Sequence, residues 1–415
     1  MIWFLIGYMW LFMHRPFEIY PMLGAIRFER LYVLLMTVLW FTVSKKEWTE
    51  NRINAGLCGL GFVIFFSSLV SPYQSIMDNI ATQEWFKIFY FYLLIMTSVK
   101  KESDLKKLTA GFTICFFIYM LHSYREFING RGRFEMGIWR MMGVDVTLGH
   151  PNSFGVSICY AATMLLPFVT QLKKKWHWLF LLAYVLLSIR CVQLTGSRSS
   201  LITLLAFFTC ITIASKHRLK AIPVVIILAP IAWLVIPDEL KERYLSLLGS
   251  SDELKAGDAG IAGRTAGFWD GLRNFQTSPI WGIGLDCSHF ITGFATHNLY
   301  GQVIGETGIA GITAFLFLLA AVTGNQLQVM NNYKELKAIG REEEALYAYR
   351  VSTATCMCYA LLLFNGLASH NLDRYNLLWF GAFQGIALAI LDEKMRKIKQ
   401  AILRGIDPKT IDLSS

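Results

Sequence analysis

The stretch 299-LYGQVIGETGIAGITAFLFLLAAV-322 carries a single charged residue, Glu306, and no proline. About 20 apolar residues suffice for a helix to cross the hydrocarbon core of a bilayer, so this run reads as a membrane span. Runs of the same kind lie on both sides of it, at 2–12, 31–43, 55–70, 85–99, 108–121, 153–170, 176–194, 201–214, 221–236, 351–368 and 376–391. Composition agrees: of 415 residues, 54% are hydrophobic and only 16% charged, where an ordinary soluble domain has roughly 25% charged. A soluble protein is excluded. The expected fold is an all-α, polytopic integral membrane protein of about 12 transmembrane helices, with 1–415 forming one transmembrane domain. Residues 1–12 lack the basic start and small-residue cleavage site of a signal peptide, so they count as a span.

The net charge of +10 divides between two faces. Alternate loops hold Lys45, Lys46 and Arg52; Lys100, Lys101, Lys106 and Lys107; Lys173 to Lys175; Lys216, Arg218 and Lys220; Lys334, Lys337, Arg341 and Arg350; and a tail running from Lys394 to Lys409. By the positive-inside rule these are cytoplasmic, as are both termini. Insertion accounts for this part of the charge, and no nucleic-acid partner is needed. The opposite face is dominated by arginine, including Arg15, Arg131, Arg133, Arg140, Arg190, Arg198, Arg264, Arg273 and Arg374. A topology signal needs only charge, whereas the planar guanidinium fork suits two-point contact with phosphate or carboxylate. The plain reading pairs most of them with Asp and Glu of the same loops or with lipid headgroups. A few are expected to bind an anionic ligand.

The longest outer segment, 237–296, is expected to be a partly helical periplasmic loop. Asp252, Glu253 and Asp258 surround the spaced Gly257, Gly260 and Gly263, and Arg264 opens an amphipathic stretch through Phe268, Trp269, Leu272 and Phe275. Long ordered loops in compact folds usually serve function. Beyond Pro279 come Trp281-Gly282-Ile283-Gly284 and then Thr296-His297-Asn298 at the mouth of the 299–322 span. Gly301, Gly305 and Gly308 recur at helical spacing, so another backbone or a lipid chain can approach closely there. His297 at a membrane edge can take a proton near neutral pH, although a lone histidine is more often structural. Glu306 is an intramembrane acid that needs a partner, an arginine or a helix terminus. Three further outer elements compete with plain packing or capping: the hairpin Thr195-Gly196-Ser197-Arg198-Ser199-Ser200, the helix start Gly149-His150-Pro151-Asn152-Ser153, and the weaker Ser369-His370-Asn371-Leu372-Asp373-Arg374.

A Walker A loop, an Asp-x-Asp pair and a His-Glu-x-x-His motif are all missing from the sequence. An ATP-driven pump, a nucleotide-sugar transferase and a simple zinc protease are therefore disfavoured. Of eight cysteines only Cys287 lies in an outer loop, so no outer disulfide framework exists, and Cys356-x-Cys358 is poor zinc spacing.

Taken in order, Gly263-Arg264, Phe268-Trp269, Ser278-Pro279-Ile280-Trp281-Gly282-Ile283-Gly284, His297-Asn298 and Gly308-Ile309-Ala310-Gly311 resemble the O-antigen ligase and polymerase superfamily. Arg198 in Gly-Ser-Arg-Ser-Ser and the His150-Pro151-Asn152 element sit where that family carries polar outer motifs. The hydropathy profile agrees over nearly the whole chain, and the specific motifs over about 149–311. The resemblance implies a GT-C-like glycosyltransferase of the bacterial inner membrane. Its donor would be a glycan on undecaprenyl diphosphate and its acceptor lipid A-core or another glycan hydroxyl at the periplasmic face, with membrane lipids around it and no cofactor, metal or nucleotide. In that reading Arg198 and Arg264 hold the diphosphate, whose charge grows as the glycosidic bond breaks, and His297 is base or orienting group for the acceptor hydroxyl. Arg273, His150, Asn152, Asn298, Trp269 and Glu306 complete the expected substrate-binding set. A ligase is favoured slightly by the modest outer loops, a polymerase shares the motifs, and a transporter is disfavoured because no two-half repeat is visible and few charges lie at mid-membrane.

Overall fold

A computed structural model describes residues 1–43, 46–135, 137–145, 149–214, 233–245 and 261–413. Its helices are α1 (Ile2–His14), α2 (Phe28–Val43), α3 (Arg52–Leu69), α4 (Ile80–Ser98), α5 (Glu102–Ile128), α6 (Pro151–Thr163), α7 (Lys175–Leu194), α8 (Arg198–Ala214), α9 (Asp238–Leu245), α10 (Ile261–Thr277), α11 (Leu299–Ala338), α12 (Glu342–Gly366) and α13 (Tyr375–Leu403), with short helical turns at Pro16–Ile19, Pro21–Ala25 and His289–Thr292. The chain is thus mostly helical. Among the described residues the departure from all-α is a two-stranded antiparallel hairpin, β1 (Arg133–Glu135) and β2 (Ile138–Arg140). Too short to show a period-2 apolar pattern, it escapes a hydropathy reading.

Helices occupy eleven of the twelve expected spans; the ninth, 221–236, lies almost wholly outside the described residues. By length and apolarity four described helices, α3, α7, α11 and α13, can cross a membrane, and the shorter α1 and Arg198–Thr212 are also apolar. Boundaries shift for physical reasons. The sixth run stops at Thr163 instead of reaching 170, because Pro167 disfavours helical backbone just before it. α12 starts earlier than its apolar run, at Glu342-Glu343-Glu344, acids that suit the positive end of a helix dipole. Several starts are capped by asparagine: the Asn51, Asn79 and Asn298 side chains accept from backbone N–H groups in the first turn, satisfying donors that a helix leaves unpaired.

α13 is the hub, with most of its apolar stretch buried inside the protein. It contacts α12, α11, α4, α5 and α3. Trp379 of α13 meets Phe12 of α1 at 5.3 Å and Phe91 of α4 at 5.2 Å between ring centroids, and Phe380 meets Phe112 of α5 at 5.6 Å. This aromatic lock is a lipid-independent core: tilted and edge-on pairs add specificity beyond burial. It fixes the start of α13, and with it the 367–374 loop, against the His297 end of α11.

Candidate functional site

The 299–322 stretch does not form an unbroken helix. Gly308 has φ +63° and ψ −161° inside α11, a backbone conformation open essentially to glycine. The break would leave backbone groups unpaired at membrane depth, which is tolerated only where protein satisfies them. The Ser278–Gly284 motif does so. Ile283 and Gly284 N–H donate to the Gly305 and Glu306 carbonyls at 3.1 Å each, while Ile309 and Ala310 N–H donate to the Pro279 and Ile280 carbonyls at 2.9 and 3.2 Å. The two motifs that looked separate in sequence are one hydrogen-bonded unit.

Glu306 completes this unit. It is 1% exposed, and its carboxylate accepts from Asp286 N–H and Ser288 Oγ, both at 2.8 Å, with the Gln302 side chain also donating. Its partner is therefore the 286–288 turn at the start of the short helix His289–Thr292, the helix terminus of the two alternatives read from sequence and not the arginine. Gln302 also accepts from Leu372 N–H at 3.2 Å, so the same helical turn holds the 367–374 loop.

α10 lies against this start of α11 through glycine. A methyl group on Gly271 would fall 2.3 Å from the Gly301 carbonyl oxygen, and one on Gly301 would fall 2.4 Å from that of Gly267. Close backbone packing is thus what Gly301 and Gly305 provide. The fully buried face of α10 is Gly267, Gly271 and Asn274; Phe268, Leu272 and Phe275 are half-buried, while Trp269 is 54% exposed and Arg273 is outward and paired with Asp270 at 3.1 Å. Arg264 lies in the first turns of α10, and its side chain is outside the described residues, as are Asp252, Glu253, Gly257, Asp258 and Gly260.

At the mouth of α11, Asn298 is spent on structure. Its Oδ1 accepts from Tyr300 and Gly301 N–H at 3.0 Å, and its Nδ2 donates to the Leu367 carbonyl at 3.3 Å. His297 next to it is exposed, and its ring centroid is 5.6 Å from that of His370. Asp373 and Arg374 stand beside His370, and both also act on Asp286. Burial lowers the His370 imidazole to about 4; Asp373 opposes this, and Arg374 and His297 add to it. His370 is accordingly neutral near pH 7, which leaves His297 beside an uncharged ring. Burial raises the Asp286 carboxyl, and Asp373 raises it further. Arg374 faces this crowd with only a 3.9 Å contact to Asp373.

Arg374 also joins His150 to the group. Burial lowers His150 to about 4 against the pull of Glu135, and Arg133, Arg140 and Arg374 reinforce the lowering. His150 caps α6, its Nδ1 accepting from Asn152 N–H at 3.3 Å. Arg140, 1% exposed, donates from Nε to the Thr195 carbonyl at 2.8 Å, from Nη1 to Glu135 Oε2 at 2.5 Å and from Nη2 to Asn152 Oδ1 at 2.5 Å. It thereby ties β2, α6 and the 195–200 hairpin together, and half-buried Arg198 opens α8 from that hairpin.

Of the residues singled out in sequence, the structure thus brings His297, Asn298 and Glu306 onto one helical start, with His150 and Asn152 on a network that reaches them through Arg374, while Arg198 opens α8 from the neighbouring hairpin. Arg273 and Trp269 face away from α11. His370, Asp373 and Arg374 belong at the centre. Their signal was legible as a run of charged and amide side chains at a helix mouth, but its weight depends on α11 and α6 being beside it. Among the described residues no three His, Cys, Asp or Glu side chains converge to hold a metal ion.

A family model described as O-antigen ligase matches residues 182–316. The match runs from mid-α7 through α8, α10 and the 279–284 turn to just beyond the break in α11. It includes Arg198, Arg264, His297 and Glu306, while His150 and the 369–374 loop lie outside it. No curated protein matches the chain.

Proposed function

We propose that this member of the O-antigen ligase superfamily moves a glycan from undecaprenyl diphosphate to an acceptor hydroxyl on the periplasmic side of the bacterial inner membrane, with both termini cytoplasmic. The observation that carries the reading is the match at 182–316, within which His297 opens a broken, protein-sealed helix. His297, beside a neutral His370, takes the proton of the acceptor hydroxyl. Arg198 and Arg264 hold the diphosphate as charge gathers on the leaving group, supplying without a metal the stabilisation that a metal gives elsewhere. An apolar groove of about 460 Å³ between α3 and α11, walled by Gly56, Gly59, Ala310 and Ala314, supports a donor with a long hydrocarbon chain. Displacement in one step would invert the anomeric centre.

Between transferases, the ligase reading is slightly preferred to a polymerase because the outer loops are modest. The glycolipids of a deletion strain test this. Finished polymer stranded on the lipid diphosphate is the ligase result. Single repeat units on the final acceptor mean a polymerase, and an unchanged profile removes both. Transfer from purified lipid-linked donor is expected to proceed in EDTA; loss of activity restored by a divalent cation would overturn the metal-free mechanism.

A further inference from the structure

Beneath Arg374, between the first turns of α6 and α13, lies a small cavity with room of about 20 Å³. Among its walls are Ser153, Ser157, Tyr160, Asn371, Arg374 and Asn376. Three of these are nearly sealed from solvent, at 1% exposure for Tyr160, 6% for Asn371 and 3% for Asn376. Each also brings a polar atom with no hydrogen-bond partner in the protein: Tyr160 Oη, Asn371 Nδ2 and Asn376 Oδ1. Native proteins rarely leave such groups unpaired, because a lone buried donor or acceptor costs about 1–3 kcal/mol. Three of them around one void therefore mark a place shaped for a polar guest. Nδ2 offers a donor, Oδ1 an acceptor and Oη either, which is what a hydroxyl group, donor and acceptor at once, requires. The volume admits one hydroxyl or hydroxymethyl group and excludes a whole sugar ring or a phosphate.

The geometry points to a hydroxyl-reading subsite: one neutral hydroxyl of a glycan substrate seats among Tyr160, Asn371 and Asn376 while its ring lies over Arg374, toward His297. This rests on the glycosyl-transfer reading above and adds to it a determinant outside the 182–316 match. A site built to bond a hydroxyl rejects an analogue lacking it more strongly than an apolar pocket rejects an extra one. The hydroxyl can belong to the donor glycan or to the acceptor, and kinetics separate the two.

The test is two-substrate kinetics on the purified full chain with lipid-linked donor and glycan acceptor, comparing wild type with Tyr160→Phe and Asn371→Ala. Tyr160→Phe removes one oxygen that bonds to nothing in the protein, so the fold is expected to survive it, and thermal melting in detergent verifies this. The expected result is a rise of about three- to tenfold in KM for one substrate, with the KM of the other unchanged, as fits the loss of one neutral hydrogen bond. The substrate affected identifies the source of the hydroxyl. Analogues of it lacking single hydroxyls are then compared: one is expected to lose three- to tenfold with wild type and nothing further with Tyr160→Phe. Wild-type KM values for both substrates in both variants overturn the subsite and leave the transferase reading standing. A fall in kcat alone, equal for every analogue, also overturns it and makes the cavity a structural hydration site. Absence of transfer by the wild-type chain sinks the subsite and the transferase reading together.

Discussion

Arg140 and Arg374 both act on His150, yet they sit in opposite kinds of surroundings. Arg140 is buried, and its donors meet Thr195, Glu135 and Asn152. Around Arg374 several valences are left over: His370 Nδ1, Asp373 Oδ1, Asn371 Nδ2 and Asn376 Oδ1 are buried without a protein partner. The first arrangement is what a bundle needs to hold loops to helices. The second stores desolvation cost that a ligand or a bound water can return. Charge alone does not distinguish these arginines; the saturation of their neighbours does. Glu306 belongs to the saturated kind, its oxygens claimed by the 286–288 turn.

The sharpest way to break this contrast is to remove what the unsaturated region is proposed to do. His297→Ala is expected to lower transfer by on the order of 10²- to 10⁴-fold, the range for loss of a general base. Arg264→Ala is expected to lower it by about 10²- to 10³-fold, as for a lost contact to developing charge. Both variants should remain in the membrane at wild-type level, measured by fractionation alongside the transfer assay. Near-normal transfer by either one removes that residue from the mechanism.

The two arginines themselves give the next test. Arg140→Ala leaves Glu135 without its closest counter-charge and Asn152 and Thr195 without a donor, so a loss of about 3–5 kcal/mol in stability is expected. Activity per folded molecule should change little. Arg374→Ala should do the reverse, with melting close to wild type and transfer down about 10- to 100-fold, the range of one charge-assisted contact. Thermal melting in detergent combined with transfer per folded molecule reads both. If Arg374→Ala unfolds the protein and Arg140→Ala spares it, the division into scaffold and site is wrong.

How much of this was visible in the chain follows from which interactions are local. Spans and caps are local, so the hydropathy runs and residues such as Asn298 and Pro151 located helices and their starts. The break at Gly308 was not, because its stability comes from Pro279, Ile280, Ile283 and Gly284, which lie outside the helix. The amphipathic pattern of α10 does not reveal which residues meet α11: close approach there requires glycine at 267 and 271 and leaves Trp269 outside. The 369–374 segment was legible as polar but underweighted. Its meaning comes from Gln302, His297 and His150, each from a different part of the chain.

The smallest effect concerns pH. Burial holds both His370 and His150 at about 4, below the ordinary 6.5, so the folded protein resists protonation of these rings while the unfolded chain accepts it. Between pH 6.5 and 4 the unfolded state then binds more protons, and stability falls as pH falls through that window. Above pH 6.5 neither state carries the charge and the contribution is fully present. Arg374 lowers both histidines, so Arg374→Ala should move both upward and make the decline shallower. His370→Asn should remove one of the two contributions. Melting temperature measured from pH 7.5 down to 4.5 is expected to drop for wild type by about one degree more than for either variant, corresponding to about 1 kcal/mol in a chain of this size. Parallel curves for all three would mean that these rings titrate as they do in water, and that the Arg374 region is less sealed than the orphaned atoms around it require.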